Sequence, residues 1–471
     1  MDPLDVSAND LVDHFRSRTI SPVEFVQLCL ARIESYNPHL RAFCFVDWEG
    51  ALKAARISEQ RWLKGCPIGP LDGVPTSVKD LISVAGSPFR RGSRATSTSL
   101  EGVIDAPAVA RLKEAGAVIL GKTSTSEFGH KAVTDSSLVG ITRNPWRRDL
   151  TPGGSSGGAA AAAATGMGIL HLATDGGGSI RIPAGFTGVF GFKPTANKVP
   201  MFPVSPFGHL AVHGPITRRV NDSRLMMDII SLSDTRDWAA FPQSTSGRRD
   251  RLSLDGLRVG YLETLDGVEV DSAVKCVIDG AVRSLISNGV DLSGIELFFS
   301  DAPCVFDTIW TSVAHFIVEN FSPGEHELLE ESFIEIANRG KNVSGAAYVS
   351  ALMKCAEMAD QLRVLFESFD LLILPTLPIT AFEAGKEHPW NVGSRGWPEW
   401  APFCYPFNLT RSPSASVPCG LTPEGLPVGL QIVGPVHHDD IVLATADLFE
   451  KHLGILTPSL DWLTKPIERS G

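Results

Sequence analysis

Two serine-bearing glycine turns and one lysine are the residues of this sequence whose types and spacing suit covalent chemistry. The first turn is Thr151-Pro-Gly-Gly-Ser155-Ser156-Gly-Gly, followed at once by six alanines. The second is Asp175-Gly-Gly-Gly-Ser179-Ile-Arg181-Ile-Pro183, reached from the apolar run 168–173. Ser155 and Ser156 stand where a helix N-cap belongs, next to unpaired N–H groups that favour developing negative charge. The alanines remove bulk, so that helix can lie close to neighbouring backbone. In the second turn the glycines let the chain bend sharply and aim successive N–H groups at one point. A serine there can be a nucleophile whose own N–H belongs to the oxyanion hole. Either segment alone reads as a flexible loop. Joined by a short helix and a buried strand, the pair does not read as a linker.

A nucleophilic serine needs a base. Histidine is the usual one, and Gly153-x-Ser155-x-Gly157 formally matches a nucleophile elbow. An elbow, however, needs a strand just before it, and Arg147-Arg-Asp-Leu-Thr-Pro152 reads as a loop. Lys79 is the other candidate, because a desolvated lysine can be neutral near pH 7. Spacing alone does not separate it from the other lysines.

The elements that must position these groups are legible in part. Ser7 with Asp10, and Ser21-Pro22 with Glu24, are capping-box patterns that start helices. Val26, Leu30 and Ile33 continue the second at helical spacing, and Asn37-Pro38 is expected to stop it. Val74, Thr76 and Val78 alternate as a strand would and deliver Lys79 at its end. A helix over 106–115 and the apolar run 118–120 form an αβ unit. Strands are expected over 258–262, 295–299, 371–374 and 429–433, with a helix over 273–287. Short apolar strands alternating with longer helices predict an α/β fold, one large domain over 1–471 with a mixed central sheet. Residues 383–402, rich in Trp, Gly and Pro, read as a loop and a candidate substrate loop. Trp397, Trp400, Phe403, Tyr405 and Phe407 are candidates for an apolar acyl pocket, although for each one alone a core role is the stronger reading.

Composition narrows the function classes. The chain has 471 residues, 43% hydrophobic and 20% charged, which suits a packed globular protein. A formal net charge of −11 speaks against nucleic acid or an anionic membrane as partner. The basic pairs Arg90-Arg91, Arg147-Arg148, Arg218-Arg219 and Arg248-Arg249 are diluted by acids and read as solvated surface. The eight cysteines show no metal or redox spacing and read as buried free thiols of a reducing compartment. The start Met-Asp-Pro-Leu-Asp shows no signal peptide, and 157–173 is too weakly apolar and too broken to span a membrane. A cytoplasmic location is expected.

The serine block closely resembles that of the amidase signature family, whose hallmark is a Gly/Ser-rich stretch followed by Gly-Gly-Ser-Ile-Arg-x-Pro. Further matching pieces are Gly73-Val-Pro-x-x-Val-Lys79-Asp80, Gly116-Ala-Val-Ile-Leu-Gly-Lys-Thr123, Asn144-Pro-Trp146, Gly188-x-x-Gly-Phe-Lys193-Pro194, Pro406-Phe-Asn408 and Gly425-Leu-Pro-Val-Gly-Leu-Gln431-Ile-Val-Gly434. The likeness runs over nearly the whole chain, with 73–194 carrying the catalytic core.

What the resemblance implies is a nucleophile at Ser179, a bridging serine on a cis peptide at Ser155 and a base at Lys79. It further implies an oxyanion hole from the N–H groups of Gly176, Gly177, Gly178 and Ser179. Asp175 and Arg181 match positions expected to brace the turn. Neutral Lys79 would take a proton from Ser155, which takes one from Ser179 as it attacks an amide carbonyl; no metal or organic cofactor is required. The family's glutamyl-tRNA amidotransferase members usually carry Gln where this chain has Ile182, and they work with partner proteins on tRNA. With 37 residues beyond Gly434, the extra domain of allophanate hydrolases is not expected. An N-terminal membrane anchor is not expected either. A free-standing amidase on a small acyl-N substrate is the resulting expectation: an aryl or alkyl amide, anilide, hydrazide or carbamoyl compound. A homodimer is left open. A Ser155-based Ser-His-Asp esterase and a partner-dependent amidotransferase component remain as alternatives.

Overall fold

The computed structural model describes residues 2, 6–96, 102–240, 256–390, 393 and 395–464. Its first two helices begin at the predicted capping boxes, Ser7 with Asp10 and Ser21 with Glu24, as Ala8–Ser17 and Pro22–Leu40. Pro38 does not stop the second helix, which runs on to Leu40 and ends at Arg41 in the left-handed region. A proline in the last turn removes a single i→i−4 bond, which is tolerable there. The Asn37 side chain accepts from the Phe43 N–H at 2.7 Å and donates to the Phe43 carbonyl at 3.0 Å, leading the chain into the sheet.

The strands are β1 (Phe43–Val46), β2 (Pro75–Lys79), β3 (Val118–Thr123), a small hairpin of β4 (Asp135–Ser136) and β5 (Gly140–Ile141), β6 (Leu170–Asp175), β7 (Phe190–Lys193) and β8 (Val212–Thr217). They continue with β9 (Arg258–Tyr261), β10 (Asp291–Gly294), β11 (Leu371–Pro375), β12 (Ser414–Leu421) and β13 (Pro427–Val433). Apart from the hairpin they form one sheet in the order β1-β3-β2-β6-β8-β7-β12-β13-β11-β9-β10. β2 is parallel to β3 and β6, and β9 is parallel to β10 and β11. The other pairings are antiparallel, so the sheet is mixed and the α/β expectation holds.

Alternation along the strands divides the core between the two faces. Leu371 and Ile373 of β11 join a cluster with Val26, Val78, Leu120 and Phe449, whereas Leu372 and Leu374 join Phe306, Trp310, Trp400 and Phe407. Residues 295–299 are not the expected strand. Pairing with β9 is made by Asp291–Gly294, and Leu297 and Phe299 enter the second cluster from irregular chain. β12, which the sequence expectations do not include, alternates Ala415, Val417 and Cys419, which join the first cluster, with Ser414 and Ser416, and it lies between β7 and β13.

The cysteines are free, but only Cys29, Cys355, Cys404 and Cys419 are buried; Cys44 is half-buried and Cys66, Cys276 and Cys304 are exposed, which corrects the expectation. Among the described residues no helix is long and apolar enough to cross a membrane. The pair Arg248-Arg249 lies outside the described residues.

Candidate active site

β2 and β6 are adjacent and parallel, so their carboxyl ends open at one edge of the sheet, where α/β folds hold ligands. β2 ends on Lys79, and β6 ends on Asp175 just before the glycine turn that carries Ser179. The Gly154–Ser155 peptide is cis. A Cβ on Gly154 would lie 2.3 Å from the Val133 backbone, so a side chain there would drive Ser155 out of place.

Lys79 is fully buried and its Nζ is ringed by hydroxyls: Ser155 Oγ at 2.8 Å, Ser156 Oγ at 2.8 Å and Thr174 Oγ1 at 2.9 Å. Ser155 Oγ lies 3.0 Å from Ser179 Oγ, which completes a line of contacts from the amine to the second serine. Ser156 and Thr174 are members of this ring that sequence reasoning misses. Ser156 also fails as a side-chain cap: its hydroxyl donates to the Thr174 carbonyl at 3.1 Å, and Thr134 Oγ1 accepts the Gly157 N–H instead at 2.8 Å. Among the described residues no histidine hydrogen-bonds Ser155, which removes the geometric basis for a Ser-His-Asp arrangement there.

Burial disfavours the ammonium and pushes Lys79 well below its ordinary value, against the pull of Asp175. That pull is smaller than the effect of burial, and Asp175 has a partner of its own. Asp175 is already neutralised by Arg181, whose Nε and Nη2 lie 3.0 and 2.9 Å from its two oxygens. Burial pushes the Asp175 carboxyl up, but the Arg181 charge and hydrogen bonds outweigh it and hold the carboxyl below the usual carboxylate range. Arg181 further donates to the Cys404 carbonyl and Gln431 Oε1, each at 2.8 Å, and to Asn408 Oδ1 at 2.6 Å. The pair therefore ties the turn to two distant parts of the chain, 404–408 and β13.

This bracing also corrects the oxyanion-hole expectation. Gly178 donates its N–H to Asp175 Oδ1 at 2.8 Å, so that group is taken. Its φ of +133° and the 2.7 Å approach of a Cβ to Cys404 and Ile182 explain why glycine is needed there. The N–H groups of Gly176, Gly177 and Ser179 have no acceptor among the described residues.

Ser155, Thr174, Gly176 and Ser179 form the floor of a cleft of about 180 Å³. Its walls come from Phe89 and Arg91, from Phe128, from the Met201–Phe207 stretch and from Trp310. The aromatic candidates take the core role that is the stronger reading for each: Trp397, Trp400, Phe403, Tyr405 and Phe407 are buried in the second cluster, and none lines the cleft. In the described part of 383–402, Glu387 pairs with Lys131 at 2.7 Å and Trp397 Nε1 donates to the His130 carbonyl at 3.0 Å, whereas Glu383, Gly385, Lys386 and Trp390 are exposed, and none of these residues lines the cleft. Residues 391, 392 and 394 of that loop lie outside the described residues. His213, opposite Thr174 on β8, also faces the cleft; burial is the main cause that lowers it to about 4, so it is neutral.

Comparison with known proteins decides the family. The Amidase family is matched over residues 24–443. The chain belongs to that family. As an Amidase family member it is an amide-cleaving hydrolase. An acylamidase of Rhodococcus erythropolis is 33% identical over 94% of this chain and 95% of its own length. A glutamyl-tRNA(Gln) amidotransferase component of Acidothermus cellulolyticus is 35% identical, with 92% of each chain covered. Among solved structures, a bacterial aryl acylamidase of the amidase signature family superposes with a TM-score of 0.85 at 27% identity, covering 95% of this chain and 96% of the other.

Proposed function

We propose that this chain hydrolyses small, largely apolar acyl-N substrates through an acyl-enzyme on Ser179, with 73–194 as the catalytic core. The observation that carries the reading is the unbroken line Lys79 Nζ, Ser155 Oγ, Ser179 Oγ at the floor of an apolar cleft. A neutral Lys79 amine accepts the Ser155 proton, and Ser155 accepts that of Ser179 as its oxygen attacks the carbonyl carbon. The N–H groups of Gly176, Gly177 and Ser179 are the donors for the resulting oxyanion. The same relay hands a proton back to the leaving amine, which amides require. Water, deprotonated along the same path, then frees the acid. Asp175 and Arg181 act as positioning residues that hold the turn.

The test is active-serine labelling with a fluorophosphonate, read by intact mass, beside release of amine from an acyl anilide. Ser179→Ala is expected to lose both the label and turnover, whereas Ser155→Ala keeps the oxyanion donors and labels slowly. A Ser179→Ala protein with near-normal turnover would sink the reading.

A second reading, a partner-dependent amidotransferase component, is favoured by the 35% identity to such a protein. Against it stand Ile182 and the apolar wall formed by Phe89, Phe128, Phe207 and Trp310. The two separate cleanly with purified chain. Turnover of an acyl anilide without any added protein supports the first reading; glutamine hydrolysis appearing only with partner proteins supports the second.

A further inference from the structure

The pair Arg90-Arg91 reads as solvated surface in the sequence, yet Arg91 is half-buried and lines the same cleft as Ser155 and Ser179. Among the described cleft-lining residues it is the single side chain charged at neutral pH, since His213 is neutral. Its guanidinium lies over the Phe89 ring, 4.6 Å from the centroid, and makes no ion pair or side-chain hydrogen bond among the described residues. The Asp80 carboxylate is already committed elsewhere. It accepts the N–H groups of Arg90 and Gly92 at 3.3 and 3.2 Å and pairs with Lys122 Nζ at 3.3 Å.

The placement is built rather than incidental. Arg91 has a φ of +55°, a conformation that a non-glycine residue keeps only where its surroundings impose it. Those Asp80 bonds grip the residues on either side of it. The Arg91 carbonyl accepts the Phe128 N–H at 2.9 Å, and the adjoining Gly129 lies so close to Ser155 that a Cβ would come within 3.1 Å of its Oγ. The loop is thus tied to the residue after Lys79 and to the residues against Ser155. Burial works against the Arg91 charge and Asp80 offsets it only in part, so a cation is held in the cleft that contains the reacting serine without an ion-pair partner of its own.

Resting on the amidase reading above, we infer that Arg91 is a specificity-determining residue that receives a carboxylate carried by the substrate. The enzyme then prefers amides with an anionic end over uncharged amides of the same shape. The guanidinium fork matches a carboxylate through two parallel N–H···O bonds, and its position over Phe89 leaves the edge of the fork free to make them.

The carboxylate can sit on the acyl or the amine half, and two substrate pairs distinguish these. Succinanilic acid and its methyl-ketone isostere differ on the acyl side; 4-acetamidobenzoate and N-(4-acetylphenyl)acetamide differ on the amine side. Amine release is followed for wild type, Arg91→Gln and Arg91→Lys. The expected result is a wild-type kcat/KM ratio of acid to ketone of at least about tenfold in one pair, collapsing toward unity in Arg91→Gln through KM. Arg91→Lys falls between, because an ammonium keeps the charge but not the fork, and it serves alone if the Gln variant does not fold. A wild-type ratio at or below one in both pairs, or a ratio that neither variant moves, overturns the inference. If no compound releases amine, the amidase reading fails instead. Protection of Ser179 from the fluorophosphonate by acid over ketone then still decides Arg91.

Discussion

Lys79 and Lys122 are both fully buried and lie side by side on β2 and β3, where Val78 pairs with Lys122 and Lys79 with Thr123. Around Lys79 the chain supplies hydroxyls alone. Around Lys122 it supplies the Asp80 carboxylate at 3.3 Å, the carbonyls of Ile82 and Pro88 at 2.9 and 3.2 Å, and the Phe89 ring at 5.3 Å. Hydroxyls stabilise a buried ammonium far less than an ion pair and carbonyl dipoles do, and they can also donate to a neutral amine. One residue type, one strand apart, thus suits a proton acceptor in one pocket and a structural cation in the other. Burial alone does not make a base; at Lys79 burial without a counter-charge is combined with contact to the serine hydroxyls.

The largest effect that bears on this contrast is expected from Lys79→Arg. A guanidinium stays protonated, so kcat/KM should fall by about 10²–10⁴, the usual share of general acid–base catalysis. In wild type the same quantity should rise with pH along a limb reporting loss of the Lys79 proton, well below the ordinary lysine value of ~10.4. This limb is set by burial, which lowers it, and by Asp175, which raises it to a smaller extent. Because the folded value is depressed, the unfolded chain holds the extra proton between the two values. The contribution of Lys79 to stability should therefore rise with pH across that window. A pH–rate profile of wild type and Lys79→Arg checks the assignment, and an arginine variant that keeps substantial activity breaks the contrast.

Lys122→Met should show the opposite signature. It leaves the Asp80 carboxyl buried without its cation, at a cost of about 3–5 kcal/mol in unfolding free energy. Denaturant titration measures the loss, and the pH limb of the folded fraction should stay where wild type has it. A shifted limb with unchanged stability would mean that the two lysines share one electrostatic site.

The smallest expected effect sharpens the picture of the hydroxyl ring. Thr174→Val removes one acceptor, worth about 1 kcal/mol, from the charged form of Lys79. The limb should move to lower pH by less than about one unit, with a rate loss below tenfold. A shift to higher pH would show that Thr174 acts mainly as a donor to the neutral amine.

Much of the site is legible without the fold, because its chemistry is written into local chain. Three glycines before Ser179, serines and small residues after Gly154, and a strand ending on Lys79 are short-range patterns, and their match to the amidase signature names each of these residues. The helix starts are legible too, since a capping box closes within four residues. Partners that reach the site across the sheet are not. Thr174 carries no distinguishing neighbour pattern, and Arg91 sits in a basic pair of the kind that usually covers surface. The aromatic residues 397–407 are candidates for a pocket on composition alone and prove to be core.

The sequence by itself determined the serine turns, the strand that brings in a lysine, the α/β class and the family. Only the tertiary structure decided that Lys79 is buried among hydroxyls next to Ser155, which N–H is already spent on Asp175, and which cation is left facing the cleft. The reason is that each of these depends on desolvation and on partners far apart in the chain. The Lys79 ring draws on residues 76, 77 and 95 positions away, and Arg181 is held by Asn408 and Gln431, 227 and 250 positions away.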